Sequence, residues 1–146
     1  MLVRRFDLDV VAIDPHGGRV DHDPPVMGDV AAQSDRHPAI VTGDFIYVSG
    51  QGPLDLATGE YLKGDIRSET RQVFENIKTI LQAAGTSMDR VVKVNVYLRD
   101  INDFGAMNEV YKTYFTPPYP ARTTIQAGAL PRGFAVEIEC IAAKGK

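Results

Sequence analysis

Apolar residues at Ile66, Val73, Ile77, Ile80, Leu81 and Ala84 fall on one stripe at helical spacing, and Gly85 follows where a helix commonly closes on a left-handed residue. The spacing predicts a helix over 66–84. Further along, Val92, Val94, Val96 and Leu98 alternate with Lys93, Asn95, Tyr97 and Arg99, which predicts a strand with one apolar and one polar face. A second helix is expected over 103–115. Asn102 or Asp103 would cap it, Phe104, Met107, Tyr111 and Tyr114 lie on or near one stripe, and Pro117-Pro118 would stop it. Upstream, residues 39–42 and 45–49 are short apolar runs around Gly43-Asp44, a hairpin pattern. Two closing strands, about 121–127 and 135–143, flank Leu130-Pro131-Arg132-Gly133. The whole reads as α+β, a sheet whose apolar face two helices cover.

The first 36 residues break this pattern. They contain Asp14-Pro15-His16-Gly17-Gly18 and Asp23-Pro24-Pro25, both turn or loop chemistry, and only 8–13 looks strand-like. Their seven aspartates and four arginines leave −3, while the twelve acidic and twelve basic groups of 37–146 cancel. Residues 1–36 are therefore expected to be an appendage on a core domain at 37–146. A net charge of −3 offers no footprint for phosphate backbones or anionic membranes, so neither nucleic acid nor membrane is expected as a partner. No apolar run reaches the roughly 20 residues that span a bilayer, and the N-terminus lacks a long secretory apolar region; a cytoplasmic protein is expected. Cys140 alternates with Val136, Ile138 and Ala142 and is read as a buried thiol.

Candidate chemistry concentrates in the last two strands. A period of two puts Arg122, Thr124 and Gln126 on one face of the first, and Glu137 and Glu139 together on a face of the second. With Lys93, Asn95 and Tyr97 they are expected to form a polar sheet face, either solvated or suited to a wet subunit interface. An arginine fork suits a carboxylate ligand, and an acid that cycles a proton suits chemistry beside that carboxylate. The alternative is a cross-strand ion pair between Arg122 and Glu137. His16, His22 and His37 lack ligand spacing, so no metal is expected. Gly50-Gln51-Gly52 lacks the third glycine of a dinucleotide fingerprint and precedes Pro53 rather than a helix.

Read in order, Tyr47-Val48-Ser49-Gly50-Gln51-Gly52-Pro53, Thr58-Gly59-Glu60, Asn76-Ile77-Lys78, Ala83-Ala84-Gly85, Asp100-Ile101-Asn102-Asp103-Phe104, Asn108, Tyr111, Phe115, Pro120-Ala121-Arg122 and Glu137-Ile138-Glu139 resemble the Rid/YjgF family of reactive intermediate deaminases. The resemblance covers about residues 39–143. It implies a chorismate-mutase-like α+β fold, with a mixed sheet and two helices packed on one of its faces. It also implies a homotrimer with a central barrel and active sites in clefts between subunits. Active members hydrolyse small 2-imino and 2-enamino acids to 2-oxo acids and ammonia, without a cofactor. By the same resemblance Arg122 takes the substrate carboxylate, Glu137 serves the catalytic water and proton transfer, Asn108 lies near the site, and Ser49 and Gly50 form part of its wall.

Two positions depart from the family pattern. Arg36 stands where a pocket tyrosine is usual, and Thr124 replaces a pocket cysteine. Arg36 is either a solvated loop residue or a pocket residue; as a second cation it would favour a dicarboxylate. An aminomuconate-type deaminase of the same family therefore stays open. So does a non-catalytic binder or sensor of 2-oxo acids and related carboxylates, although a pure carboxylate binder gains nothing from an acid at 137. RNA cleavage is disfavoured by the charge balance.

Overall fold

A computed structural model describes the backbone of Val10–Ile13 and Arg19–Val20 and the whole of residues 37–146. The elements are β1 (Val10–Ile13), β2 (Arg19–Val20), β3 (Ala39–Thr42), β4 (Phe45–Gln51), α1 (Ile66–Ala83), β5 (Val91–Leu98), α2 (Phe104–Tyr114), β6 (Ala121–Gln126) and β7 (Val136–Ala143). The strands form one mixed sheet in the order β2-β1-β3-β4-β7-β5-β6. Among the described residues, β1–β3 and β5–β6 pair in parallel and the other neighbours antiparallel. Five strands from the region read as core thus carry the fold, and β1 and β2 extend the sheet beyond β3. Of the stretch expected as strand at 8–13, residues 8 and 9 lie outside the described residues. The short β2 falls where only loop was expected.

Helix α1 forms as its pattern predicts. Asp65 caps it by accepting from Ser68 N, and Gly85 follows its end at φ +79°. Its stripe of Val73, Phe74, Ile77, Ile80 and Leu81 packs with Ile46, Val94, Val96, Leu98, Val136 and Ile138 of the sheet and Met107 of α2 in one buried cluster. Both helices therefore cover one sheet face. Asn76 fastens α1 to the chain beyond β4, donating to Leu54 O at 2.8 Å and Gly52 O at 3.2 Å. Cys140 is buried in this cluster, and burial pushes its thiol up to about 12.

Three expectations need amending. Asp103 stands at the N-cap position of α2 as expected, but its side chain makes no capping bond; instead Asp100 accepts from Asn102 N and opens a short 3-10 turn over Ile101–Asp103 that feeds α2. In β5 the apolar alternation fails at its start, because the pairing with β7 shifts between Val91 and Lys93. Val91 is 7% exposed and takes the core position, while Val92 is 43% exposed. Third, Arg122, Thr124 and Gln126 are not on the polar face with Glu137 and Glu139. The register aligns Arg122 with Val94 and Cys140, on the helix-covered side, and aligns Thr123 with Asn95 and Glu139 on the other. Strand β6 reads Ala-Arg-Thr-Thr-Ile-Gln, and its more polar set, Arg122, Thr124 and Gln126, is the one on the helix-covered side, while Ala121, Thr123 and Ile125 face the other. At the sheet's edge alternation therefore points the wrong way.

Candidate active site

Arg122 is the second residue of β6, the last strand of the sheet, and its partners come from α2. Its Nη1 donates to Asn108 Oδ1 at 2.7 Å. The guanidinium lies 4.4 Å from the ring centre of Tyr111 and 5.3 Å from that of Phe104. Phe104, Asn108 and Tyr111 are separated by four and three residues, so one face of α2 presents all three to β6. A planar cation held by an amide oxygen at one edge and aromatic rings against its face has a fixed orientation. Burial raises the Tyr111 pKa, and the charge of Arg122 opposes that rise. Beside the guanidinium opens a cavity of about 320 Å³, lined by Asn108, Tyr111, Lys112, Tyr119, Pro120 and Arg122. Thr124 follows on the same face of β6, and its Oγ1 is buried without a hydrogen-bond partner.

Glu137 belongs to the opposite sheet face, where its strand position pairs with Tyr97. Glu139 beside it accepts from Asn95 Nδ2 at 3.0 Å and from the Tyr97 hydroxyl at 2.6 Å. That second bond holds the Tyr97 pKa above its usual value. The Glu137 carboxylate is packed against Gly50: a Cβ there would stand 2.9 Å from its Oε1. Gly50 lies where the β4–β7 pairing shifts between Val48 and Gln51, a bulge that brings backbone close to the side chain. Neighbouring Ser49 donates through Oγ to Pro38 O at 3.2 Å. At Gly52 a Cβ would overlap the Phe134 ring, so two glycines two residues apart admit side chains from the start of β7 and the turn before it.

The predicted residues therefore form two groups. Arg122, Asn108 and Thr124 gather on the helix side; Ser49, Gly50 and Glu137 gather around the β4 bulge. Strand β5 separates β6 from β7, so Arg122 and Glu137 neither pair nor share a cleft within one chain. Among the described residues the ion pair is Arg67 with Glu109, at 2.8 Å. Arg36 lies outside the described residues. Sequence reasoning assigned Phe104 and Tyr111 to a core stripe and passed over Lys112 and Tyr119. The spacing of Phe104, Tyr111 and Lys112 from Asn108 was the available signal.

A family model described as Endoribonuclease L-PSP matches residues 29–144, and the chain belongs to this family, the Rid/YjgF family. A RutC family protein of Pyrococcus horikoshii is 54% identical over 106 residues, 73% of this chain and 84% of that protein. The 2-iminobutanoate/2-iminopropanoate deaminase of Mus musculus is 50% identical over 100 residues, 68% of this chain and 74% of the mouse protein. Among solved structures, RidA from the Antarctic bacterium Psychrobacter sp. PAMC 21119 superposes with a TM-score of 0.72 at 44% identity, covering 76% of this chain and 89% of that one.

Proposed function

We propose that this protein hydrolyses small 2-imino and 2-enamino acids to 2-oxo acids and ammonia without a cofactor. The observation that carries the proposal is the setting of Arg122. An oriented guanidinium borders a cavity of about 320 Å³ and, among the described residues, meets no carboxylate that would neutralise it. Such a fork binds a carboxylate through two parallel hydrogen bonds. The identity to a mouse protein named for deaminating 2-iminobutanoate and 2-iminopropanoate supports the same ligand class.

In this scheme Arg122 holds the substrate carboxylate, and Asn108 positions Arg122. The unpartnered Thr124 hydroxyl supplies a further hydrogen bond, and Ser49 and Gly50 wall the pocket around Glu137. Arg36 is the remaining candidate for the wall. An enamine takes a proton on carbon to become the imine. Water then adds across the C=N bond, and ammonia leaves as the C=O bond forms, so one water is consumed per ammonia released. Glu137 gives and takes the protons of these steps.

Because Arg122 and Glu137 stand on opposite faces of one sheet, the scheme needs two copies of the chain, Arg122 coming from one and Glu137 from the next. A chorismate-mutase-like homotrimer with the polar faces turned inward supplies that arrangement. Exposed Tyr47 beside Lys93, Asn95 and Glu139, with exposed Ile125 opposite Tyr97 on the same face, suits such a packed yet wet interface. The endoribonuclease in the family description is not adopted for this chain, whose net charge of −3 disfavours a polyanion.

Two variants test the scheme through ammonia release from freshly generated imino acids. Arg122→Ala should lose both binding and turnover, since removing one partner of a buried charged contact costs roughly 2 to 5 kcal/mol. Glu137→Gln should keep 2-oxo acid binding while turnover falls by about 10² to 10⁴. Wild-type turnover by Glu137→Gln would remove Glu137 from the chemistry.

A further inference from the structure

We propose that Lys112 reads a second carboxylate, so that the preferred substrates are short 2-imino dicarboxylic acids; this rests on the placement of substrate at Arg122 proposed above. Lys112 lies one helical turn beyond Asn108 on α2, so the helix that fixes the Arg122 guanidinium also delivers an ammonium to the rim of the same cavity of about 320 Å³. Among the described residues no carboxylate pairs with either cation. Two like charges facing one small cavity repel each other until an anion enters, and a dianion with a charge at each end neutralises both.

The cavity also suits the rest of such a ligand. Its remaining lining is the amide of Asn108 together with Tyr111, Tyr119 and Pro120, apolar bodies against which a chain of one or two methylenes can lie. Arg122 is held rigidly and takes the carboxylate beside the reacting carbon. Lys112 is exposed and flexible, and its compact charge tolerates carboxylates at slightly different reach. Selectivity from an exposed lysine is screened by salt, whereas the half-buried fork of Arg122 is less so.

The test compares the full-length protein with Lys112→Met, which keeps the apolar stem and the helix propensity. Substrates are imino acids released in situ by an amino-acid oxidase from glutamate and from 2-aminobutyrate, and binding of the stable 2-oxo acids of both is measured by calorimetry. We expect Lys112→Met to lose about tenfold or more in affinity and kcat/KM for the dicarboxylates and to stay within about twofold for the monocarboxylates. The dicarboxylate preference of the wild type should shrink between 50 and 500 mM salt, a dependence absent from the variant. Equal losses for both ligands, or no loss for either, would overturn the role of Lys112. If the wild type releases ammonia from neither substrate yet binds the dicarboxylate through Lys112, the deaminase reading falls and the specificity assignment stands.

Discussion

Replacing Gly50 by alanine isolates the position of the Glu137 carboxylate from its chemistry. The new Cβ would lie 2.9 Å from Glu137 Oε1, against the 3.4 Å at which ordinary contacts begin, so the carboxylate must withdraw by about 0.5 Å. The backbone itself tolerates alanine, since Gly50 is not among the residues with positive φ. The group that yields is the far end of a flexible side chain, so folding should change by less than about 1 kcal/mol, with glycine's entropic cost partly recovered. Catalysis is less forgiving. Constellations must hold within about 0.5 Å, and a misplacement of about 1 Å costs up to 10²-fold, so a loss of roughly tenfold in kcat is expected. Ammonia release under saturating imino acid measures it, with 2-oxo acid binding and thermal unfolding as companions. Unchanged kcat with unchanged unfolding would refute the reasoning, because a carboxylate that moves freely without effect is not a positioned acid. Collapse of the fold would refute the claim that only Glu137 yields.

Two further outcomes follow from the same structure. Sedimentation at micromolar protein should give about 48 kDa, three times the 16.0 kDa chain; a stable 16 kDa species would remove the shared site. Glu69 is 4% exposed, and burial raises its pKa while a bond from Ala135 N at 3.1 Å opposes the rise. A raised acid contributes stability below its unfolded-state pKa and loses it as pH climbs through the folded-state value, so wild type should lose stability relative to Glu69→Gln as pH rises above the ordinary carboxylate range. Urea unfolding at each pH measures the difference, and a pH-independent gap would contradict it.

The elements that alternation or helical spacing could express were legible before the structure. Helix α1 has an apolar stripe and a closing glycine, two local signals that agree, while its Asp65 cap went unread. β7 alternates cleanly, and its Cys140 is buried as its neighbours implied. What was not legible depended on tertiary placement. The polar alternation of β6 suggests the opposite face, so only its register against β5 and its contact with α2 reveal that Arg122 faces the helices. The bulge at the start of β5 exchanges Val91 for Val92 without a local marker. Phe104 and Tyr111 satisfy a core stripe and a cation platform at once, and the first use conceals the second. Family resemblance named Asn108 and Arg122 as neighbours in function; the 2.7 Å bond between them is what the fold adds.

The division of Arg122 and Glu137 between opposite faces of one sheet has a consequence for the life of the chain. Under the shared-site scheme a newly made or dissociated monomer carries both functional groups yet presents no complete site. Activity then depends on concentration more steeply than in first order near the assembly threshold, and dilution silences the protein without unfolding it. Any substitution that weakens the contact between copies reads out as lost catalysis, however far it lies from either residue.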